Sequence, residues 1–248
     1  MSGRVALVTG AGRNIGRSIA LALADAGFAV AVHVRQSLEE GDAVVAEIRA
    51  KGGDAMRFAA DVTDPAAVKS LFEAVGARWG RLDVLVNNAA IRIEAPVEAI
   101  DAAAWRQTLA VVLDGAFFCV QAALPLLRRG EAPAIVNIGG MTGHTGAPQR
   151  VHVVTAKAGL AGMTRALAHE LAPEGITVNC LAPGLIDTER RAGAASANPS
   201  HRARHSSLLG RRGEVREVAA AVAWLAGPDT RFVTGQVLHL NGGAYLGG

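Results

Sequence analysis

The chain has 248 residues, half of them hydrophobic, which suits one large α/β domain or two small ones with a sizeable buried core. Aromatic residues make up only 4% and the net charge is +3, which excludes a base-stacking platform and gives no sign of a nucleic-acid partner. Cys119 and Cys180 form neither a CxxC pair nor a zinc pattern, so no metal site is expected and reduced thiols in a cytoplasmic protein are.

In chain order, the N-terminus runs almost directly into an apolar strand, Val5 to Val8, with no charged leader or cleavage site that would indicate secretion. A glycine turn and a helix follow, with Gly27 where a left-handed C-cap belongs. Val30 to Val34 and the weaker Ala55 to Ala60 read as the next strands. Asp64-Pro65 then forms an N-cap and first-turn pair. Val84 to Val86, Ile135 to Ile138, Ile176 to Leu181 and Val237 to Leu240 complete the strands. These runs are continuous rather than alternating, as expected of parallel strands covered on both faces by helices. Strand and helix alternating about six times predicts a doubly wound parallel sheet, one α/β domain over residues 1–248. No uninterrupted apolar run reaches the roughly 20 residues that span a bilayer; Asp25 and Arg35 break the best candidate, so no membrane partner is expected. Glu189 to Gly213 departs from the rhythm, with six arginines, two histidines and one glutamate. It reads as a basic surface segment over the carboxyl ends of the strands, where such sheets bind ligands.

Thr9-Gly10-Ala11-Gly12-Arg13-Asn14-Ile15-Gly16 lies between the first strand and first helix. Glycines let the backbone approach a pyrophosphate, and free N–H groups at a helix start favour its charge. The strand–turn–helix context distinguishes this from an ordinary turn.

From these motifs the chain resembles the short-chain dehydrogenase/reductase family over its whole length, which implies a Rossmann fold and a nicotinamide dinucleotide. The family's TGxxxGxG opening matches Thr9, Gly10 and Gly16; Asp61-Val62 resembles its adenine-contacting acidic pair; Asn87-Asn88-Ala89-Ala90 is similar to its NNAG. Pro183-Gly184-Leu185-Ile186-Asp187-Thr188 resembles the segment that meets the nicotinamide carboxamide and the phosphates, and Gly235-Gln236 through Asn241-Gly242-Gly243 the last strand and its exit. The resemblance assigns cofactor contacts to Gly10, Gly12, Arg13, Asn14, Ile15, Gly16, Asp61, Val62, Asn88, Ala89, Pro183, Gly184, Ile186 and Thr188. Two residues depart from it. Asn14 replaces the middle glycine, a substitution that positive φ tolerates best, and Ala90 replaces the glycine of NNAG. Relatives that prefer NAD end the second strand with an acidic residue; Val34 stands there here, followed by Arg35. With Arg13 in the turn, two guanidiniums suit a 2′-phosphate, so NADP(H) is favoured over NAD(H).

The resemblance also implies hydride transfer assisted by a tyrosine acid, a lysine that lowers its pKa, an orienting serine and a water-holding asparagine. Lys157 is present, but the YxxxK spacing puts Val153 at the tyrosine, Gly140 at the serine and Val112 at the asparagine. Valine has no proton to give, and general acid assistance is worth roughly 10²–10⁴ in rate. Lys157 retains the family's second lysine role, binding the nicotinamide ribose. Thr142, His144, His152 and Tyr245 are weaker candidates to replace the acid. His152 adjoins Val153, yet points about 100° away on a helix; Tyr245, the only tyrosine, could act from a neighbouring subunit.

Three functions remain open: a reductase of a small molecule that needs no tyrosine acid, such as an iminium or conjugated electrophile; a catalytically inactive dinucleotide-binding sensor or partner subunit; and a non-redox lyase or hydratase. Arg190, Arg191, Arg202, Arg204, Arg211 and Arg212 would suit an anionic substrate if they face the cleft. Ala156 to Ala168 is rich in Ala and Gly and resembles the family's dimer-forming helix, so a homodimer or homotetramer is expected.

Overall fold

The computed structural model describes residues 3–189 and 207–247. Among them, strands β1 (Val5–Val8), β2 (Ala29–Val34), β3 (Ala55–Ala59), β4 (Val84–Asn87), β5 (Ala134–Ile138), β6 (Thr177–Pro183) and β7 (Val237–Leu240) form one sheet. Its order is β3-β2-β1-β4-β5-β6-β7, and every neighbouring pair is parallel. The helices are α1 (Asn14–Asp25), α2 (Leu38–Ala50), α3 (Pro65–Trp79), α4 (Ala102–Leu109), α5 (Gly115–Leu127), α6 (Thr142–Thr145), α7 (Val151–Leu171) and α8 (Val215–Leu225). This is the doubly wound sheet that the repeated strand–helix pattern predicts.

Successive strand side chains point to opposite faces, and here both faces are dry. Val5 and Leu7 of β1 join a core with α3, α5 and α7, while Ala6 and Val8 join another with α1, α2 and α8. All four are fully buried. Burying each such Val or Leu side chain contributes about 1.5–3 kcal/mol, which is why these strands carry no polar alternation. Asp83 closes the amino end of β4. Its buried carboxylate accepts from the Val5 N–H at 2.7 Å and pairs with Arg81 at 2.6 Å.

The caps behave as their residues dictate. The Asp64 side chain accepts from the Ala66 N–H at 2.9 Å, and Gly27 takes φ +84° just beyond α1. β6 runs past the expected end at Leu181 because Ala182 and Pro183 still pair with His239 and Leu240 of β7.

The most apolar stretch is not the one that Asp25 and Arg35 break. The continuous helical stretch Ala102–Leu127 spans 26 residues and reaches a mean hydropathy of 1.9, long and apolar enough to cross a membrane. Arg106 and Asp114 interrupt its apolar runs without lowering the average far enough. In the fold it is a core helix: Cys119, Val120, Ala123 and Leu127 pack against α3 and the sheet. Its middle, Ala110–Asp114, widens into a single π-turn joining α4 to α5.

Candidate active site

Strand order reverses between β1 and β4, and a cleft of about 830 Å³ opens there at the carboxyl ends of the strands. A crevice at this switch point is where open α/β sheets hold ligands. Thr9 joins its two sides. Its Oγ1 accepts from the Asn88 and Ala89 N–H groups at 2.9 and 3.0 Å and donates to the Val86 carbonyl at 3.3 Å. The Asn88 amide donates to the Thr9 and Gly10 carbonyls at 2.8 and 3.1 Å, fixing the glycine turn.

That turn has a shape only small residues allow. Gly10 sits at φ +65° and Asn14 at φ +48°, the left-handed region that asparagine tolerates best among side-chain-bearing residues. A Cβ on Gly16 would lie 2.2 Å from the Gly10 carbonyl oxygen and 2.5 Å from Asn88 Nδ2. The first turn of α1 therefore comes close to the loop, with its leading N–H groups left without intrahelical acceptors. Asn14 does not merely fit. Its amide donates to the Glu189 carbonyl at 3.0 Å and accepts from the Glu189 N–H at 2.9 Å, tying the turn to the segment beyond β6.

Gly10, Gly12, Arg13, Asn14, Ile15, Gly16, Arg35, Asp61, Val62, Asn88, Ala89, Gly184, Ile186 and Thr188 all line this cleft, as do Pro183 and Lys157. Arg35 lies 3.8 Å from Asp61, an exposed pair, and Asp61 also accepts from the Thr63 N–H and hydroxyl. These bonds hold its carboxyl below the usual range. The sequence reading missed His33, which also lines the cleft. It is 2% exposed, with Nδ1 accepting from the Gly10 N–H at 3.2 Å and Nε2 3.1 Å from the Ala60 carbonyl. The Nε2–H tautomer satisfies both contacts. Burial lowers its pKa to about 4, so it stays neutral behind the turn.

At the other end, Val153 and Lys157 are four residues apart on α7 and both line the cleft, with Gly140 and Thr142 beyond β5. The Lys157 ammonium donates to the Ile138 carbonyl at 2.5 Å. Burial, then the nearby Arg92, lower its pKa to about 8. A Cβ on Gly140 would meet nothing closer than Thr142 Oγ1 at 4.0 Å. Arg92, Glu94, Gln107 and Arg150 also line this end and went unnoticed in the sequence. Arg150 and Glu94 form a half-buried ion pair. Arg150 was the findable one, since it stands at the N-cap of α7, three residues before Val153 and seven before Lys157.

Other candidates lie elsewhere. Val112 occupies the π-turn and is 2% exposed, packed with Ala116, Ala156 and Leu160 rather than facing the cleft. His152 is fully buried, and neither ring nitrogen has a hydrogen-bond partner. His144 and Tyr245 do not line the cleft. With His239 they build a ring cluster, the centroids of His239 lying 4.7 Å from His144 and 4.8 Å from Tyr245. Burial lowers the pKa of His144 and of His239. In the basic segment, Arg211 pairs with Glu217 at 2.7 Å and Arg212 with Asp187 at 3.5 Å. Arg190, Arg191, Arg202 and Arg204 lie outside the described residues. No cluster of metal-ligating residues occurs among the described residues.

Residues 10–245 match the family model described as enoyl-(acyl carrier protein) reductase. The 3-oxoacyl-[acyl-carrier-protein] reductase of Staphylococcus aureus is 41% identical over 97% of this chain and 98% of its own length. The chain belongs to the short-chain dehydrogenase/reductase family. Solved members agree in fold. A dehydrogenase/reductase from Sinorhizobium meliloti superposes with a TM-score of 0.92 at 37% identity, covering 99% of this chain and 96% of that one. A short-chain dehydrogenase from Burkholderia cenocepacia, in complex with NADP, gives 0.90 at 36% identity, covering 97% of each. Within this dehydrogenase/reductase fold, the residues at the expected tyrosine and serine sites, Val153 and Gly140, face the cleft and add no ionisable group to it.

Proposed function

We propose that this protein is an NADP(H)-dependent oxidoreductase acting on a small molecule that needs no tyrosine acid, an iminium or conjugated electrophile. One observation carries this reading: the cofactor cradle is complete, while Val153 and Gly140 leave the reacting end of the same cleft without the tyrosine and serine of the family's relay. The glycine turn fits the dinucleotide, since the approach of α1 to Gly10 leaves no room for a Cβ at Gly16. The NADP complex of the Burkholderia relative supports the choice of cofactor, and Arg13 and Arg35 at the cleft suit a 2′-phosphate. Arg92 beside Lys157 gives the reacting end positive charge, which suits an anionic substrate. Bound NADPH would supply hydride; Lys157 would hold the nicotinamide ribose.

The relatives named as 3-oxoacyl-[acyl-carrier-protein] reductases suggest that thioester as a test substrate, and slow turnover is expected. Steady NADPH oxidation with a panel of enones and imines tests the reading. Copurified NADP(H) without turnover on any of them would favour an inactive dinucleotide-binding homologue, for which the intact cradle beside the missing relay speaks. Product formation without NADPH oxidation would favour a lyase or hydratase. We also place the protein in the cytoplasm, in keeping with its two buried free thiols. A homodimer or homotetramer is expected through the Ala- and Gly-rich face of α7, where Gly162 has open space around its missing side chain; light scattering at micromolar concentration checks this.

A further inference from the structure

We propose that Lys157 is itself the proton donor of this site, its ammonium delivering a proton to the substrate across the space that Val153 and Gly140 leave open. The proposal rests on the NADP(H) oxidoreductase reading above and narrows it to electrophiles that must gain a proton as well as a hydride. For a neutral enone or ketone, NADPH when bound would supply one hydride, one of its C4–H bonds breaking as it becomes NADP+, and the protein would supply one proton. The C–H bond forms, the C=C or C=O π-bond breaks, and the resulting enolate or alkoxide is protonated. Nζ loses that proton as a neutral amine and regains one from water.

Among the described residues, elimination leads to the same group. At the reacting end the cleft offers Arg92, Glu94, Gln107, Thr142, Arg150 and Lys157. Arginine does not deprotonate in proteins, and amides and hydroxyls hold their protons far too tightly. Glu94 is engaged with Arg150. His144 and Tyr245 pack with His239 outside the cleft, and His152 is sealed in the fold. Lys157 remains, and it is anchored. The ammonium spends one N–H on the Ile138 carbonyl. The α6 turn presses on its backbone so closely that a Cβ on Gly143 would lie 3.1 Å from the Lys157 carbonyl carbon. The Thr142 hydroxyl, 4.0 Å from where a Gly140 Cβ would stand, borders the vacant serine space and is placed to orient the substrate oxygen.

Electrostatics fits the role. Nζ feels Arg92 from the loop after β4 and the Cys180 thiol from β6. Burial pushes that thiol up to about 11, so it stays neutral and offers no counter-charge. An ammonium near pKa 8 is mostly protonated at neutral pH and is a stronger acid than a phenol of pKa about 10. The same positive pair disfavours an iminium cation and favours a substrate that develops negative charge.

Lys51, Lys69 and Lys157 are the only lysines, and the first two sit in exposed ion pairs with Asp25 and Glu73. Lysine Cε NMR on the intact NADPH complex therefore reads the Lys157 titration directly, with Lys51→Arg and Lys69→Arg removing the other signals. A midpoint near 8 is expected; one near the ordinary 10.5 overturns the proposal whatever the activity. With 2-cyclohexenone or ethyl acetoacetate at saturating NADPH, kcat/KM should be level at low pH and fall above the same midpoint, because the protonated form acts. Lys157→Arg keeps the charge but cannot release a proton, so kcat should fall at least roughly 100-fold, within the range of acid catalysis. Ethylammonium should restore part of the loss in Lys157→Ala. Parent-like kcat in Lys157→Arg, or a flat profile, overturns the proton-donor assignment while leaving the oxidoreductase reading in place. A parent that binds NADPH and turns over neither the test compounds nor the wider panel overturns both.

Discussion

Reinstalling the missing relay, with Val153→Tyr, Gly140→Ser and Val112→Asn, tests whether only side chains separate this cleft from ordinary ketone reduction. The three sites differ in cost. Gly140 has no atom within ordinary contact of a new Cβ except Thr142 Oγ1 at 4.0 Å, so serine enters without strain. Val153 borders the cleft, and a phenol there projects into open volume one turn before the Lys157 ammonium, whose charge lowers its pKa. Val112 is the expensive site. It is 2% exposed among Ala116, Ala156 and Leu160, and an amide there loses water. An unsatisfied buried amide costs about 1–3 kcal/mol, and a chain of this size loses about 2–4 °C in Tm per kcal/mol. The Gly140→Ser/Val153→Tyr double variant should therefore keep its Tm within a few degrees of the parent, while the triple variant falls visibly below both. Activity should run the other way. Followed by loss of NADPH absorbance with ethyl acetoacetate, the triple variant should exceed the parent at least roughly tenfold, a modest share of the 10²–10⁴ available to acid catalysis. A parent as fast on this ketone as the triple variant would refute the reasoning. So would a folded, NADPH-binding triple variant that stays inactive, because the pocket itself would then have been rebuilt.

Gly16→Ala should reduce NADPH affinity at least roughly tenfold by calorimetry and cost about 1–3 kcal/mol in denaturant unfolding, since its methyl overlaps the Gly10 carbonyl. Arg35→Asp should narrow or reverse the preference for NADPH over NADH, and equal affinities in the parent would remove that argument. Burial holds His33 neutral, its pKa about 4 against an ordinary 6.5. The unfolded chain thus binds the extra proton first on acidification. Stability should be complete above pH 6.5 and decline by up to about 3 kcal/mol towards pH 4. His33→Asn should flatten that part of the pH profile.

Most of the sheet was legible because its strands are buried on both faces and read as unbroken apolar runs. Pro183 hid the true end of β6, since proline usually stops a strand; here it is the last residue, and its carbonyl still accepts from the Met141 N–H at 2.9 Å. The cofactor end was readable because Gly10, Asn14 and Gly16 lie within one short turn whose backbone demands are local. The reacting end was not, because distant segments build it. Glu94 and Arg150 stand 56 residues apart, and no periodicity links them before the fold is known. The π-turn at Val112 is likewise invisible in composition. His144 and Tyr245 looked like spare catalytic groups, and only the structure reveals that they spend their rings on each other and on His239.

That ring cluster gives β7 and Tyr245 leverage over selectivity. His144 belongs to the same short turn as Thr142, so the wall of the reacting end is braced from behind by His239 of β7 and by Tyr245. Altering His239 or Tyr245, neither of which lines the cleft, would move that wall without touching anything inside it. Substrate range in this protein can thus drift through changes at His239 and Tyr245, outside the pocket they brace.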